Sequence, residues 1–345
     1  MQVKSEQVQT DITLYTLVND NGMEVSCLNL GGVITKIMAP DRNNNIENVV
    51  LGFRNLDDYK QNPTYFGALI GRVAGRIQGS QFELDNEVYS LEANNEENHL
   101  HGGSHGFHAA IWDVAPFENA DEVGLKLSHF SPDGEGGYPG NLQVNVTYTL
   151  NNKNELAISY QANSDHKTAL TLTNHSYFNL SGNLKNDIKN HKVTLNSSKF
   201  VELDAELIPT GKQLSVENTV FDFQLGRQII DGVKSDYDQN LNAGKGYDHY
   251  FLFDHTRPEQ AIVEDQQSGR KLIVTTDQPG MVMYTSNSLD DSLELLEGPS
   301  KQHLGICLET QASPASLHHE GFPSVILNKD ETYTAKTTFT FDVIK

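Results

Sequence analysis

Residues 142–160, LQVNVTYTLNNKNELAISY, alternate between apolar and polar side chains on either side of a polar segment of four residues. The apolar positions recur at every second residue: Leu142, Val144, Val146, Tyr148, Leu150, Leu156, Ile158 and Tyr160. Because a strand points successive side chains to opposite faces, each half of this stretch is typical of a strand with one buried face. The intervening segment Asn151-Asn152-Lys153-Asn154 favours a turn, so the stretch predicts a β-hairpin.

The same two-residue period recurs along most of the chain, at residues 23–27, 123–127, 193–195, 272–274 and 339–343. A helical period is restricted to short segments at 56–60 and 184–189. Many strands separated by turn-forming clusters predict an all-β fold, a large antiparallel β-sandwich or barrel with few short helices. Neither a linker nor an internal repeat interrupts the sequence, which predicts a single domain over residues 1–345.

Composition restricts the classes of partner. The 345 residues are 37% apolar and 21% charged, which is ordinary for a globular protein, and the net charge is −21. Such acidity opposes binding to nucleic acid or to an anionic membrane surface and is compatible with an uncharged ligand. The polar N-terminal residues lack the apolar run of a signal peptide, and there is no apolar stretch of about 18 residues, which predicts a cytoplasmic protein. Cys27 and Cys307 lack a metal-binding spacing and are expected to be small buried hydrophobes.

Six segments interrupt the alternation with polar residues and glycine: 71–77 (GRVAGRI), 98–103 (NHLHGG), 174–180 (NHSYFNL), 246–249 (GYDH), 276–280 (TDQPG) and 307–311 (CLETQ). Together they contain arginines, histidines and carboxylates. These groups are sufficient for proton transfer at a neutral polar ligand.

Two of these segments contain candidates for proton transfer. His175 follows residues 169–173, which alternate like a half-buried strand, and it precedes a turn at 181–183. Glu309 follows the apolar run 305–308, where partial desolvation would raise its basicity. The structural alternatives are a hydrogen-bonded histidine at the end of a strand and a solvated glutamate at a strand edge.

Each of the other candidates also has two interpretations. His99 and His101 would share a face of a strand, which favours either a metal site or a hydrogen bond to a ligand hydroxyl. Arg72 and Arg76 offer guanidinium groups for a pair of hydroxyls, or form surface ion pairs. Asp248 is either a binding group or a turn-forming aspartate.

The segments AGRI (74–77), LHGG (100–103), NHSYFNL (174–180), YDH (247–249), DQPG (277–280) and ETQ (309–311) resemble, in the same order, the motifs of the aldose 1-epimerase (galactose mutarotase) family. The resemblance implies a galactose mutarotase-like supersandwich with the site in an open cleft. It also implies interconversion of the α and β anomers of free aldoses such as galactose and glucose, without a cofactor or a metal.

The resemblance implies roles for individual residues. Glu309 matches the general base and His175 the general acid, which neighbouring carboxylates are expected to keep protonated. The residues that match sugar-binding positions are Arg76, His101, Asp248 and Gln278. Tyr177 is a candidate for stacking on the sugar, whereas Phe178 is expected in the core. Gly75 stands where many relatives carry asparagine, which leaves the substrate preference open.

Three alternative functions remain: a hexose-6-phosphate 1-epimerase, a sugar-binding module without turnover, and a metal-dependent cupin-like enzyme that uses His99 and His101. The first would need a basic cluster, and the second would need no matched acid and base. The expected partner is a monosaccharide, and the protein is expected to be a monomer or a homodimer.

Overall fold

The computed structural model describes residues 1–344. The first fifteen strands are β1 Gln2–Gln7, β2 Thr13–Val18, β3 Glu24–Leu28, β4 Ile34–Pro40, β5 Ile46–Asn48, β6 Leu69–Ile70, β7 Arg76–Ile77, β8 Gln81–Leu84, β9 Glu87–Ser90, β10 His99–Leu100, β11 Asp113–Glu118, β12 Glu122–Ser131, β13 Leu142–Asn151, β14 Glu155–Ser164 and β15 Thr168–Ala169.

The other fifteen strands are β16 Thr173–Asn174, β17 Tyr177–Phe178, β18 Lys192–Leu195, β19 Lys199–Leu203, β20 Pro209–Ser215, β21 Arg227–Gln228, β22 Asp248–Leu252, β23 Glu259–Glu264, β24 Arg270–Thr276, β25 Gly280–Tyr284, β26 Glu294–Leu295, β27 Gly298–Pro299, β28 Ile306–Gln311, β29 Ile326–Leu327 and β30 Thr332–Val343. The helices are α1 Ile230–Val233, α2 Asp238–Asn242 and short 3₁₀ turns at Leu56–Lys60, Gln78–Ser80, Phe107–Ala109, Glu135–Gly137 and Pro314–Leu317.

Three large antiparallel sheets dominate the described residues and confirm the predicted all-β sandwich. The first has the order β1-β2-β3-β4-β5. The second has nine strands in the order β11-β12-β13-β14-β30-β24-β23-β18-β21, and the third has six in the order β17-β28-β25-β22-β19-β20. The predicted hairpin lies in the nine-stranded sheet, where β13 and β14 pair from Leu142 opposite Ser164 to Leu150 opposite Leu156.

The six-stranded sheet has one face in the core and one face on a cavity, and this division positions the functional site. Met281, Met283 and Leu308 belong to the same apolar cluster as residues of the nine-stranded sheet. Because side chains alternate along a strand, the intervening residues Val282 and Glu309 point to the opposite face. Both of them line the cavity on that face.

Two local predictions were wrong. Residues 184–189 form turns rather than a helix, because Asn183 and Leu184 have positive φ angles of 46° and 52°, which are incompatible with a right-handed helix. The predicted half-buried strand at 169–173 is reduced to its ends, in β15 and β16, and it is entirely buried. The α1 and α2 helices were not predicted. None of the helices between residues 1 and 344 is long and apolar enough to cross a membrane.

Candidate active site

A cavity of about 400 Å³ opens on the outer face of the six-stranded sheet. Its floor consists of side chains from three neighbouring strands. Tyr250 of β22 is opposite Val282 of β25, and Val282 is in turn opposite Glu309 of β28. Residues in register on adjacent strands share a face, so these three side chains form one row. The next row runs from Asp248 through Tyr284 towards Tyr177. The pairing of the strands therefore determines where the carboxylates of Glu309 and Asp248 lie.

His175 reaches the cavity from the connection between β16 and β17. Its backbone is fixed by two hydrogen bonds: its N–H donates to the carbonyl of Ala68 at 2.9 Å, and its carbonyl accepts from the N–H of Gly67 at 3.0 Å. These bonds attach the histidine to the segment before β6. The backbone of His175 is therefore held against a second segment of the chain.

Glu309 and His175 form a buried pair at the floor. The Nε2 atom of His175 lies 3.5 Å from Oε1 of Glu309, and the two residues are 5% and 3% exposed. Burial, reinforced by the negative charge of Asp248, raises the pKa of Glu309 well above its ordinary value. Burial lowers the pKa of His175 to about 4. The expectation that neighbouring carboxylates keep His175 protonated was therefore wrong, because the cost of desolvating its cation dominates.

Arg76 and Asp248 form a second pair in the cavity. Nη1 of Arg76 is 3.7 Å from Oδ2 of Asp248, and Nε of Arg76 donates to Oδ1 of Asn95 at 3.0 Å. Burial raises the pKa of Asp248, and the guanidinium opposes that shift. Both side chains are partly exposed to the cavity, so their remaining donors and acceptors can bind hydroxyl groups.

His101 is positioned through Gly75. The N–H of Gly75 donates to Nδ1 of His101 at 3.1 Å, and the N–H of His101 donates to the carbonyl of Gly75 at 3.2 Å. Gly75 has a φ angle of +92°, and a Cβ atom there would lie 3.0 Å from Cγ of Pro314, so glycine suits this position. Burial lowers the pKa of His101 well below its ordinary value. Because Nδ1 accepts the hydrogen bond from Gly75, the ring proton lies on Nε2, from which it can be donated to a ligand.

His101, His175 and Glu309 are of the types that bind zinc, and their ligand atoms lie within 4.8 Å of one another. The neutral ring of His101 does not suit this role, because Nδ1 accepts a hydrogen bond from Gly75 and Nε2 carries the proton. A metal ligand must present a lone pair. The arrangement is instead suited to donating a hydrogen bond to a hydroxyl oxygen.

The expectation that His99 and His101 share one face of a strand was wrong. His101 has a φ angle of +56°, which breaks the strand alternation that would place both rings on one face. The ring of His99 instead contacts the carbonyl of Glu92 at 2.7 Å and the hydroxyl of Tyr138 at 2.9 Å. The cupin-like interpretation therefore lacks its His-x-His pair.

The sugar contact that the resemblance implies for Gln278 is not supported by the position of this residue. Gln278 is buried outside the lining of the cavity, and its amide donates to the hydroxyl of Tyr333 at 3.0 Å. It precedes β25 in the turn after β24, so its side chain belongs to the loop rather than to the cavity face of the sheet. Tyr177 does line the cavity, and Phe178 packs against Phe339 and Phe341 in the core, as predicted.

Sequence reasoning missed several residues that line the cavity: Tyr65, Tyr250, Val282, Tyr284 and Gln311. Gln311 was detectable, because it lies two positions beyond Glu309 on the same strand face. The residues of β22 and β25 were not, because their proximity to Glu309 depends on strand pairing between distant segments.

The fold and the site define a class of protein: a β-sandwich with a buried carboxyl–imidazole pair at the floor of a cavity. A family model described as aldose 1-epimerase matches residues 13–340. The galactose mutarotase of Homo sapiens is 40% identical over 344 residues, which cover 99% of this chain and 94% of that protein. The maltose epimerase of Levilactobacillus brevis is 33% identical over 321 residues, 92% of each chain.

A solved structure, the galactose 1-epimerase of Lactobacillus acidophilus NCFM, superposes with a TM-score of 0.88 at 29% sequence identity, covering 100% of this chain and 99% of that one. The chain belongs to the aldose 1-epimerase family. It is therefore an isomerase, and the resemblance inferred from its six motifs is confirmed.

Proposed function

We propose that this protein interconverts the α and β anomers of free hexoses such as galactose and glucose, with Glu309 as the general base and His175 as the general acid. The observation that carries this assignment is the 3.5 Å contact between a buried carboxyl group and a buried imidazole at the cavity floor. Anomer interconversion requires one proton acceptor and one proton donor at the same hemiacetal.

The reaction begins when Glu309 accepts the proton of the anomeric hydroxyl while His175 donates a proton to the ring oxygen. The bond between the anomeric carbon and the ring oxygen breaks, and the anomeric carbon becomes a carbonyl group. Rotation about the bond between the first two carbons exposes the other carbonyl face. Closure then reverses both proton transfers, so no proton is gained or lost.

The pair needs one shared proton throughout this cycle. Before ring opening that proton is on His175, and after opening it is on Glu309. Burial raises the pKa of Glu309 and lowers that of His175, which favours the form with both groups neutral. This neutral form is the one that faces the open-chain aldehyde. The ion-pair form, which starts the reaction, differs from it by one proton transfer between the two groups.

Neutral sugars suit the cavity better than phosphorylated ones. Among residues 1–344, Arg76 is the one lysine or arginine that lines the cavity, and it lies near Asp248. A sugar phosphate would require several cationic groups. Arg76, His101 and Asp248 instead offer donors and an acceptor for hydroxyl groups, and Tyr177 offers an aromatic face. The alternative of a non-catalytic sugar-binding module would leave the buried Glu309–His175 pair without a role.

Polarimetry of freshly dissolved α-D-galactose and α-D-glucose, after treatment of the protein with EDTA, tests the proposal. We expect a faster approach to the same final rotation. Maltose is included because of the relative named maltose epimerase, and glucose 6-phosphate is expected to react more slowly than glucose. An unchanged rate with every sugar would contradict the proposal, and activity lost with EDTA and restored by a metal would support the metal-dependent alternative.

Three further properties stay proposals. A single domain is supported by an apolar cluster that contains residues of all three large sheets. A cytoplasmic location is supported by Cys27 and Cys307, which are buried and unpaired. The protein is proposed to be a monomer or a homodimer, which sedimentation analysis would distinguish.

A further inference from the structure

Tyr65 has an unusual backbone conformation at the cavity wall. Its φ angle is +56°, a left-handed value that is unfavourable for an aromatic residue. Such a conformation persists where the surrounding structure enforces it, and it is frequent at functional sites. The ring is partly exposed and lines the cavity beside His101 and His175.

The segment around Tyr65 is fixed by hydrogen bonds at both ends. The amide of Asn62 pairs with the backbone of Phe66, donating to its carbonyl at 3.1 Å and accepting from its N–H at 2.8 Å. The N–H of Tyr65 donates to the carbonyl of Asn62 at 2.9 Å. The hydroxyl of Tyr177 donates to the carbonyl of Thr64 at 3.0 Å. The same segment contacts the backbone of His175 through Gly67, so Tyr65 and His175 belong to one connected unit.

Two tyrosine rings lie nearly parallel to the imidazole of His175. The ring of Tyr177 is 5.0 Å away at an interplanar angle of 21°, and the ring of Tyr65 is 6.1 Å away at 23°. The ring of His101 meets the imidazole edge-on at 5.3 Å and also contacts Tyr65 at 4.8 Å. Aromatic contacts therefore restrict the plane of the imidazole, whereas its Nδ1 has no hydrogen-bond partner between residues 1 and 344.

We propose that Tyr65 is a positioning residue that, together with Tyr177, holds the imidazole of His175 in the orientation required for proton transfer to the sugar. This inference rests on the proposed function. Tyr65 acts through His175: its ring limits rotation of the imidazole and excludes water from it. A displacement of about 1 Å in a reacting group can reduce a rate on the order of 10²-fold.

The charged and titratable groups that face His175 are Glu309 on β28, His101 after β10, Tyr177 on β17 and Tyr65 itself. Of these, Glu309 favours the imidazolium, and His101 opposes it when charged. Replacing the ring of Tyr65 with a smaller side chain would admit water to His175. The pKa of His175 would then rise from about 4 towards the ordinary value near 6.5.

The test compares Tyr65→Leu, Tyr65→Phe and Tyr177→Phe with a matched control, Tyr15→Leu, which changes a half-buried tyrosine on β2 outside the cavity. For Tyr65→Leu we expect kcat for galactose to fall by roughly 10-fold to 100-fold with little change in KM. Tyr65→Phe keeps the ring and should retain kcat. Tyr177→Phe removes the bond to Thr64 and should lower kcat by a smaller factor, which keeps the test informative if Tyr65→Leu does not fold.

The second measurement is an NMR titration of His175, assigned by comparison with His175→Asn. The proposal predicts that the pKa of His175 rises in Tyr65→Leu and is unchanged in Tyr15→Leu. An increase in KM at constant kcat would make Tyr65 a sugar-binding residue and overturn the proposal, as would an unaltered kcat together with an unaltered pKa. A wild-type protein without mutarotase activity would refute the proposed function, whereas the NMR titration would still report whether Tyr65 controls His175.

Discussion

Two buried polar regions, one around Arg72 and one at the cavity floor, differ in whether the protein satisfies its own polar groups. Arg72 is buried, and its guanidinium donates to Ser131 Oγ at 2.9 Å and to the carbonyls of Ser131, Pro132 and Pro139 at 2.9–3.0 Å. Each of its three nitrogens has a partner. Four of its five N–H groups have partners within the protein, so the guanidinium connects segments of the chain.

At the cavity floor, by contrast, some buried polar atoms have no hydrogen-bond partner within the described chain. Glu309 and His175 contact each other at 3.5 Å, and within the described chain Nδ1 of His175 and Oε1 of Gln311 have no hydrogen-bond partner. Buried polar groups without partners are costly, and these two atoms belong to residues that line the cavity. Arg72 and Arg76 are four residues apart, but only Arg76 lines the cavity. For these two arginines, the hydrogen-bond partners and the position relative to the cavity distinguish a structural role from a proposed functional one.

The largest expected effect is that of Glu309→Gln. The amide cannot accept the proton of the anomeric hydroxyl, so we expect turnover to fall by roughly 10²-fold to 10⁴-fold. Glutamine has nearly the same shape, and the melting temperature should not fall. Polarimetry and thermal unfolding measure the two properties, and a variant with wild-type turnover would exclude Glu309 as the base.

His175→Asn should have the next largest effect. Asparagine retains an N–H group that can donate a hydrogen bond to the ring oxygen, but it cannot transfer a proton, so we expect a loss on the order of 10²-fold in kcat. Because Glu309 and His175 act as a unit, the double variant should lose little more than Glu309→Gln. Losses that multiply in the double variant would show that the two residues act independently.

Arg72→Met should affect stability rather than turnover. Loss of the guanidinium removes its hydrogen bonds to the carbonyls of Ser131, Pro132 and Pro139, and we expect a cost of about 3 kcal/mol in the free energy of unfolding. Chemical denaturation measures this cost. Arg54→Met is the matched control, because Arg54 forms an exposed ion pair with Glu294 and should contribute less than about 1 kcal/mol. Equal losses for the two variants would remove the distinction between the regions.

Arg76→Met should weaken substrate binding. A hydrogen bond to a charged group contributes about 1.5–3 kcal/mol, so we expect KM for galactose to increase roughly 10-fold or more, with a smaller change in kcat. Arg76→Lys keeps the charge but not the planar set of donors, and it should recover part of the loss. An unchanged KM in Arg76→Met would place Arg76 with Arg72 as a structural residue.

The smallest expected effect is that of pH between 7 and 5. An ordinary histidine acid would titrate near pH 6.5, but burial lowers the pKa of His175 to about 4. As pH falls from 7, Glu309 and His175 together keep a single proton until His175 binds a second one near pH 4. We therefore expect kcat/KM to change less than about twofold between pH 7 and 5 and to fall below pH 4. As pH rises through the raised pKa of Glu309, the loss of the last proton should also reduce the rate. The measurement is kcat/KM as a function of pH, obtained by polarimetry and corrected for the spontaneous reaction. An inflection of this profile near pH 6.5 would contradict the expectation.

The sequence predicted the strands better than their arrangement. The alternation in 142–160 predicted the hairpin of β13 and β14, because burial on one face leaves a direct pattern in the sequence. It could not show that β30 pairs with both β14 and β24, since that pairing depends on long-range packing.

The site residues likewise divide into those with a local signal in the sequence and those whose position depends on long-range strand pairing. Glu309, His175, Arg76, His101 and Asp248 were predicted from polar segments that interrupt the strands, and the structure brings them into one cavity. Gln278 was predicted from the resemblance alone, and the turn before β25 directs its amide to Tyr333. Val282 and Tyr250 had no local signal, because a valine or a tyrosine on a strand is typical of a core.

The most direct test is the mutarotation of fresh α-D-galactose by the wild type, Glu309→Gln and Arg72→Met, expressed per molecule of folded protein. We predict equal rates for the wild type and Arg72→Met, and a rate at least about 10²-fold lower for Glu309→Gln. A Glu309→Gln protein as active as the wild type, or a wild type that does not accelerate the reaction, would contradict the assignment of the cavity floor as the catalytic site.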